Sequence, residues 1–283
     1  MTSSRPWARI SRPSLWERAS RTTQTLLDQV KVILDDSVVD IGPREAQWIT
    51  EAADDEGAAL DMARRRSKGE PLQYVLGNAH FRKIVLSVGP GVFIPRPETE
   101  LLVEKALELL PHGGRVVDLG TGSGAIALSI AYERPDADVY ATEADTGAYP
   151  WAVRNRDELA LSAEIIEGDL FEGLPEELKG TFDVVVSNPP YVATSRREIL
   201  PIDVRDHEPE KALYGGGDGM LVTTRVAQEA RSWLKPGGWL ALEMSVEQQQ
   251  DMTTLLAGLD YRNVKIGIDL AEWPRLVVAQ VPG

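Results

Sequence analysis

Apolar residues in the first quarter of the chain recur at about the spacing of a helical turn, which predicts three short helices. The first follows Ser14, a residue that can cap a helix, and runs through LWERASRTTQTLLDQVKVIL. The second begins at Pro43, and the third covers GAALDMARRRSKG and ends at Gly69. We therefore expect residues 1–69 to form a small helical bundle.

The pattern becomes alternating over residues 70–97. In HFRKIVLSVGPGVFIPRP, apolar positions alternate on either side of Gly89-Pro90-Gly91, which predicts a β-hairpin turning at those residues. A further helix opens at Pro97, with acidic residues in its first turn. We expect the hairpin to link the bundle to a larger domain over residues 98–283.

Strands and helices alternate from residue 115 onward. The predicted strands are RVVDLG, DVYATE, AEIIEGD, FDVVVSN, GWLALEM, NVKIGID and RLVVAQV, with helices expected between the first five. Continuous apolar strands of this kind indicate a mostly parallel sheet covered on both faces. Only LAEWP separates the last two strands, so they should pair antiparallel. This predicts an α/β fold whose seven-stranded Rossmann-like sheet is similar to that of class I methyltransferases.

Composition excludes several kinds of chemistry. The 283 residues include no cysteine, which excludes disulfides, thiolate nucleophiles and cysteine metal sites and favours a cytoplasmic protein. The three histidines, His80, His112 and His207, are far apart, so we expect neither a metal site nor a Ser-His-Asp triad. No apolar run is long enough for a membrane helix, and the basic N-terminus lacks the apolar segment of a secretory signal.

The charge is unevenly distributed along the chain. Residues 1–69 hold 11 basic and 11 acidic residues, so the formal net charge of −14 comes from residues 70–283, with 19 basic and 33 acidic residues. A strongly acidic domain repels phosphate backbones at long range. We therefore expect no direct nucleic-acid partner.

A glycine-rich turn follows the first strand of the predicted sheet, in VVDLGTGSGAIALSIA. Gly120, Gly122 and Gly124 permit a tight turn and a close approach of a ligand to the backbone. Nicotinamide, flavin and S-adenosylmethionine (SAM) sites all use such loops. A tight turn that binds nothing is the remaining alternative.

Acidic residues close the next two strands. Glu143 stands 23 residues after Gly120, where a carboxylate can accept hydrogen bonds from a ribose diol, or can simply be solvated. Asp169 could accept a bond from an adenine amino group, with Leu170 and Phe171 near the ring, or could cap its loop. Trp151 could approach the adenine, but we expect it to pack between helix and sheet.

The fourth strand ends in VVVSNPPYVAT, residues 184–194, and this ending distinguishes between cofactors. A dinucleotide enzyme has no need of Asn-Pro-Pro-Tyr there, whereas a planar NH₂ group that is to be alkylated gains from it. The Asn188 side-chain carbonyl and the Pro189 main-chain carbonyl can each accept one N–H of such a group. Pro190 stiffens the loop and Tyr191 can lie against the substrate. A strand that merely ends in a proline turn is the alternative.

The chain resembles the release-factor glutamine methyltransferases, the HemK/PrmC family, over roughly residues 15–281. The resemblance rests on GEPLQYVLG, GVFIPRPETE, DLGTGSGAIALSIA and SNPPY, and more weakly on DLAEWPRLVVAQ. NPPY alone is shared with adenine-specific and other amino methyltransferases, but its combination with PRPETE and an N-terminal bundle is more specific. One departure is TEADTGAYPWAVRN, where the family usually has Ser-Pro-x-Ala after an Asp-like residue.

The resemblance implies an enzyme that uses SAM to methylate the side-chain amide of a glutamine in peptide-chain release factors. It implies catalysis by Asn188, Pro189 and Tyr191. The implied SAM contacts are Asp118, Gly120, Thr121, Gly122, Ser123, Gly124, Glu143, Asp169, Leu170 and Asn188. The implied glutamine contacts are Phe93, Asn188, Pro189, Pro190 and Tyr191. A nucleic-acid amino methyltransferase and a SAM-binding scaffold without catalysis are the alternatives.

Overall fold

The structure is a computed structural model that describes the backbone of residues 15–283 and the side chains of residues 25–283. The predicted helix cap at Ser14 lies outside the described residues. Contacts between Cα atoms divide the chain into two compact units, with the boundary between Leu76 and Gly77. No helix in the described part of the chain is long and apolar enough to cross a membrane.

The N-terminal unit is helical. Its helices are α1 (Leu15–Asp35), α2 (Glu45–Ala52), α3 (Glu56–Ser67) and α4 (Leu72–Leu76). Helix α2 begins two residues later than predicted, because Pro43 lies in a turn in which Gly42 N–H donates to the Glu45 carboxylate at 2.8 Å. Helix α4 was not predicted. Its Val75 is buried in the same apolar core as Val30 of α1, which explains why this unit extends past Gly69.

The second unit begins with the predicted hairpin, but its turn lies elsewhere. Strands β1 (Asn78–Phe81) and β2 (Ile84–Ser87) pair antiparallel around Arg82 and Lys83, not around Gly89-Pro90-Gly91, so that part of the prediction is wrong. Arg82 takes a positive φ of 49°. Its backbone N–H donates to Glu100 at 3.0 Å and its guanidinium pairs with Glu133 at 2.6 Å, which stabilises the two-residue turn. Gly89 and Val92 close a separate turn.

The remaining strands form one sheet. Within the described residues its strands are β3 (Arg115–Leu119), β4 (Asp138–Glu143), β5 (Glu164–Glu167), β6 (Phe182–Ser187), β7 (Leu234–Glu243), β8 (Arg262–Ile268) and β9 (Pro274–Gln280). Their spatial order is β5-β4-β3-β6-β7-β9-β8. Strands β3 to β7 pair parallel, and β9 is antiparallel to both of its neighbours. The predicted seven-stranded fold, including the antiparallel last pair, is confirmed.

Helices cover both faces of the sheet. The helices of this unit are α5 (Glu100–Leu109), α6 (Ala125–Glu133), α7 (Tyr149–Leu159), α8 (Ile202–Arg205), α9 (Glu210–Leu213), α10 (Leu221–Trp233) and α11 (Gln249–Gly258). All of these except the short α8 and α9 contact strands of the sheet. The helix predicted to open at Pro97 begins there as a 3₁₀ turn, Pro97–Thr99, and becomes the α-helix α5 at Glu100. Buried residues of α10 and α11 pack with Val117, Val185 and Leu240 on one face, while α5 contacts β6 and β7 from the other.

One predicted helix is absent. Between β5 and β6 the described chain forms only a 3₁₀ turn at Glu176–Leu178, so the expectation of a helix there is wrong. Gly173 takes a positive φ of 87°, and Pro175 follows it, which interrupts helical geometry. The apolar residues of this segment are buried without a helix, since Phe171 stacks on Trp233 with ring centroids 5.2 Å apart.

The strand order places several strand ends together. The chain leaves β3 to one side for β4 and β5, then returns to β6 on the other side of β3. Ligands in open α/β sheets bind at such a reversal, beyond the carboxyl ends of the strands. Leu119, Glu143, Ser187 and Glu243 end β3, β4, β6 and β7 at this same edge.

Candidate active site

A cavity of about 340 Å³ opens at the carboxyl edge of the sheet. Its volume lies within the range of about 300–1,000 Å³ that is usual for small-molecule sites. The segment 209–213, which follows β6, forms part of its wall. The predicted site residues that line it are Phe93, Gly120, Thr121, Gly122, Ser123, Glu143, Asp169, Leu170, Asn188, Pro189, Pro190 and Tyr191.

Two predicted SAM contacts, Asp118 and Gly124, do not line the cavity but shape the glycine loop. Asp118 is buried, and its Oδ2 accepts bonds from the Thr121 hydroxyl at 2.6 Å and from Ala127 N–H at 3.2 Å. Burial raises the pKa of Asp118 to about 7. Gly124 takes a φ of +85°, and a Cβ there would come within 2.7 Å of Leu128 Cδ1. Both residues therefore fix the path of the loop from behind.

Gly120 and Gly122 bring the loop backbone to the cavity. Their φ values of +70° and +59° favour glycine, and a Cβ at either position would have no atom within 4 Å. Gly120 and Thr121 N–H both donate to the Thr142 carbonyl at 2.9 Å. The loop is thus held by β4 while its glycines face open space that a ligand can occupy.

Glu143 is held against the same loop. One carboxylate oxygen accepts the Gly122 N–H at 2.7 Å, and the other accepts the Asp145 N–H at 2.8 Å. Burial raises the pKa of Glu143, although these two backbone bonds oppose that effect. The long glutamate side chain is therefore accommodated by folding back on the loop, with its carboxylate at the cavity wall.

The segment after β5 contributes Asp169 and Leu170 to the cavity. Asp169 is partly exposed and pairs with Arg225 of α10 at 3.0 Å. Leu170 is buried and takes a φ of +54°. Phe171 points into the core instead, and the Trp151 ring lies against Gly89, so neither residue lines the cavity.

The Asn-Pro-Pro-Tyr loop lines the same cavity as the glycine loop and follows the neighbouring strand of the sheet. Asn188 Nδ2 donates to the Thr99 hydroxyl at 3.2 Å, which joins this loop to the PRPETE segment. The Tyr191 hydroxyl donates to Glu243 Oε1 at 3.3 Å. Burial, together with the nearby Glu243 charge, raises the pKa of Tyr191, so the hydroxyl stays a donor.

A glycine turn supports the Asn-Pro-Pro-Tyr loop from behind. Val192 N–H donates to Leu213 O at 2.9 Å, and Gly215 N–H donates to Val192 O at 3.0 Å. A Cβ at Gly215 would lie 2.2 Å from Pro190 O, and one at Gly219 would lie 2.2 Å from Tyr191 O. Only glycine permits this close approach, so the turn fixes the loop backbone.

Glu243 is a site residue that the sequence reasoning missed. It ends β7 and is buried beneath Tyr191 and Thr99. Burial raises its pKa to about 7, although the nearby Thr99 hydroxyl and the hydrogen bond from Tyr191 lower it. A sequence signal was available, since Glu243 ends the apolar strand GWLALEM much as Glu143 ends DVYATE.

Glu208 is a second site residue that the sequence did not predict, and it holds the segment that contains Phe93. The Arg96 guanidinium lies 4.7 Å from the centre of the Phe93 ring and forms an ion pair with Glu208. Ile94 N–H donates to the same carboxylate at 3.2 Å. Burial raises the pKa of Glu208, while Arg96 opposes that effect. This pair joins the Phe93 segment to the cavity wall at 209–213.

Comparison with known proteins identifies the family. Residues 88–228 match the family model described as methyltransferase small domain. The release factor glutamine methyltransferase of Geobacter sulfurreducens is 35% identical over 257 residues, covering 84% of this chain and 88% of that protein. The protein of the same name from Bifidobacterium longum is 42% identical over 232 residues, covering 77% of this chain and 78% of that protein.

A solved structure supports the fold. A methyltransferase from Pyrococcus furiosus is 23% identical with a TM-score of 0.54, over 70% of this chain and 89% of that one. At this identity the likeness concerns the fold alone. The family assignment rests on the two relatives at 35% and 42% identity, which confirm the resemblance seen in the motifs. This chain belongs to the release factor glutamine methyltransferase family.

Proposed function

We propose that this chain transfers a methyl group from SAM to the side-chain amide nitrogen of a glutamine in peptide-chain release factors. Two of its relatives are named release factor glutamine methyltransferase. For this chain, the main support for the proposal is the orientation of the Asn188 side chain. Its Nδ2 donates to the Thr99 hydroxyl. Its Oδ1, to which no group of the described residues donates, is left to accept an N–H in the cavity.

The cavity fits SAM. Open space at the Gly120 and Gly122 backbone and a buried carboxylate at Glu143 suit a ligand that carries a ribose diol and an amino-acid tail. When bound there, SAM supplies an electrophilic methyl group on a sulfonium. We assign the ribose hydroxyls to Glu143 and the adenine edge to Asp169 and Leu170. Thr121 and Ser123 line the tail side, and Asp118 and Gly124 hold the loop.

Asn188 and Pro189 would overcome the poor nucleophilicity of an amide nitrogen. The lone pair of such a nitrogen is delocalised, so it attacks only from a well-defined orientation. Two carbonyl oxygens that each accept one N–H hold the nitrogen in place, and positioning of this kind can lower a barrier by about 7–11 kcal/mol at most. With SAM bound, the same dipoles would stabilise positive charge on the nitrogen while its bond to the methyl carbon replaces the sulfonium–methyl bond, and one N–H proton would then pass to water. Pro190, Tyr191 and Phe93 wall the glutamine side chain.

We further propose that the acceptor is a cytoplasmic protein rather than a nucleic acid. The net charge of −14 lies in residues 70–283, which contain the cavity, and this charge disfavours a phosphate backbone. The absence of cysteine fits a reducing compartment.

We assign recognition of the release factor to the helical bundle predicted at residues 1–69, whose compact unit continues through α4 to Leu76, and catalysis to the domain predicted at residues 98–283. The residues that line the cavity all lie within 93–222, and the described part of the bundle exposes large apolar side chains. Trp48 is 40% exposed, Val38 60% and Val32 67%. Contacts remote from the reacting group can raise kcat/KM by positioning the reactive end.

The acceptor is tested with three substrates at equal concentration: a whole release factor, a peptide of its glutamine loop, and duplex DNA. We expect the release factor to gain one methyl group fastest, the peptide to react more slowly, and DNA to remain unmodified. Methylation of DNA in preference to both would contradict the proposal. Equal rates for protein and peptide would remove the role assigned to the bundle and leave the chemistry intact.

A further inference from the structure

Glu208 is a buried carboxylate that holds two groups of the segment containing Phe93. Its side chain is 1% exposed. One oxygen, Oε2, accepts the Ile94 N–H at 3.2 Å, and the other, Oε1, pairs with the Arg96 guanidinium. The carboxylate lies outside the cavity lining, so these contacts act on the cavity wall from behind.

The Arg96 guanidinium connects this carboxylate to the Phe93 ring. Its central carbon lies 4.7 Å from the ring centre, within the distance at which a cation is attracted to an aromatic face. Phe93 also directly precedes Ile94, so the bond to the Ile94 N–H fixes the peptide that carries the ring. Phe93 is therefore held at its backbone and at its ring by groups that both contact Glu208.

The backbone of Glu208 belongs to another part of the cavity wall. The segment 209–213, which follows it directly, lines the cavity. At the end of that segment, the Leu213 carbonyl accepts the N–H of Val192, just after the Asn-Pro-Pro-Tyr loop, at 2.9 Å. Glu208 thus joins the Phe93 segment to the wall that supports this loop.

We propose that Glu208 is a positioning residue for the methyl acceptor, because it fixes the Phe93 ring in the cavity wall. This rests on the proposed function, in which Phe93 walls the acceptor glutamine. A ring that is already fixed loses little conformational freedom when the acceptor binds, whereas a loose ring must first be ordered. Glu208 therefore governs the KM for the acceptor and leaves the affinity for SAM unchanged.

Glu208→Gln removes one of the two contacts. The new side chain has nearly the same size, and its oxygen can still accept the Ile94 N–H. Its NH₂ group cannot accept from the Arg96 guanidinium, so the cation loses its anchor. Because a hydrogen bond between charged groups is lost, we expect the KM for a whole release factor to rise about tenfold. We expect kcat to stay within about threefold, and the SAM dissociation constant within about twofold.

Glu133→Gln is the matched control. The Glu133 side chain is 9% exposed and pairs with Arg82 at 2.6 Å, and neither residue lines the cavity. Both variants lose the charge of a largely buried carboxylate, so the melting temperature should fall in both. Only Glu208→Gln should raise the KM for the acceptor. An equal rise in the control would indicate a general loosening of the domain and would overturn the proposal.

A double variant tests whether Glu208 acts through Phe93. Phe93→Leu removes the ring, so Glu208→Gln should add little to the KM of Phe93→Leu. Two rises in KM that multiply, or a wild-type KM in Glu208→Gln, would overturn the proposal. Should Glu208→Gln fail to fold, Arg96→Gln takes its place, with the same rise in KM expected. Its amide can still donate to the buried carboxylate, but it presents no charge to the ring.

A second measurement needs no methyl acceptor. The chain has four phenylalanines, so 4-fluorophenylalanine gives four ¹⁹F resonances, and that of Phe93 is assigned by its loss in Phe93→Leu. The other three rings are at most 4% exposed and serve as internal references: Phe81, Phe171 and Phe182. In Glu208→Gln we expect the Phe93 resonance to shift and the other three to stay in place. A Phe93 resonance that does not move, or four that move together, would overturn the proposal.

The two measurements separate this proposal from the proposed function. If the wild-type chain leaves release factors unmethylated, the proposed function fails, whereas the ¹⁹F comparison still decides whether Glu208 fixes the Phe93 ring. If release factors are methylated but the Phe93 resonance is the same in Glu208→Gln and the wild type, the proposed function stands and the positioning role is wrong.

Discussion

Asn188 and Thr99 lie 89 positions apart in sequence, yet Asn188 Nδ2 donates to Thr99 Oγ1 at 3.2 Å. One residue belongs to the Asn-Pro-Pro-Tyr loop and the other to the PRPETE segment. The bond gives a physical reason for the two motifs to occur in the same chain. PRPETE supplies the hydroxyl that holds the amide of the loop, so neither motif completes the site alone.

We expect Asn188→Ala to remove most turnover while SAM affinity stays within a few-fold. Asn188 is assigned to the substrate amide, and loss of one fixed electrostatic contact typically costs about 10²–10³ in rate. Single-turnover rates and calorimetric SAM binding test the two halves of this prediction. A loss of SAM affinity as large as the loss of rate would place Asn188 mainly on the cofactor.

Glu143→Gln is expected to weaken SAM binding more than it slows chemistry at saturating SAM. A charged acceptor on the ribose hydroxyls contributes about 1.5–3 kcal/mol, more than a neutral one. Calorimetry on the two proteins measures the difference. Equal affinities would show that the Glu143 carboxylate serves only the Gly122 and Asp145 backbone bonds.

Gly122→Ala has a matched control in Gly180→Ala. Both glycines take a positive φ, +59° and +72°, with no atom within 4 Å of an added Cβ. Alanine in this region costs roughly 1–2 kcal/mol at either site, so both variants should lose similar stability in denaturant unfolding. Only Gly122 lines the cavity, and only its substitution should weaken SAM binding. Equal SAM affinities in the two variants would mean that the ligand does not approach the Gly122 backbone.

Burial of Glu243 predicts a dependence of stability on pH. Its pKa rises from an ordinary value of 4.5 to about 7 on folding, so the native state holds the proton more tightly than the unfolded state does. The contribution of protonated Glu243 to the free energy of unfolding is fully present at low pH and is lost as the pH rises from about 4.5 to about 7. Unfolding free energies of wild type and Glu243→Gln, compared between pH 5 and 8, should show the smaller fall in the variant. Asp118 has a pKa raised in the same way, so some dependence remains in both proteins.

Trp48→Ala tests the recognition role of the bundle. We expect kcat/KM to fall several-fold on a whole release factor and to stay unchanged on a peptide of the glutamine loop. Under the proposed role, the bundle contacts parts of the release factor that the peptide lacks. The control is Tyr132→Ala, since Tyr132 is similarly exposed, 49% against 40%, but lies on α6. A fall of equal size in the control, or on the peptide, would contradict a specific contact at Trp48.

The sequence predicted those features that depend on local pattern. The apolar strands, the antiparallel last pair and the residues at the ends of β3, β4 and β6 followed from periodicity and from turn residues. The hairpin turn was misplaced because Gly89-Pro90-Gly91 is the stronger local turn signal, whereas Arg82 turns the chain through its contacts with Glu100 and Glu133.

Long-range pairing accounts for the residues that sequence reasoning missed. Glu243 accepts a hydrogen bond from Tyr191, 52 positions away, and Glu208 pairs with Arg96, 112 positions away. No single segment carries that information, because a glutamate that ends a strand can equally well be solvated. Helix α4 was missed for the same reason, since it is fixed by packing against α2 and α3 in the apolar core of the N-terminal unit rather than by a helical repeat of its own.

The most direct test of the account is to locate the transferred methyl group. A whole release factor is incubated with SAM and either the wild-type chain or Asn188→Ala, and fragment mass spectra assign the modified residue. A second acceptor, in which the glycine-flanked glutamine is replaced by asparagine, serves as the substrate control. We predict one methyl group on the amide nitrogen of that glutamine with the wild type, and almost none with Asn188→Ala or with the asparagine acceptor. A methyl group at any other residue, or equal labelling of the asparagine acceptor, would contradict it.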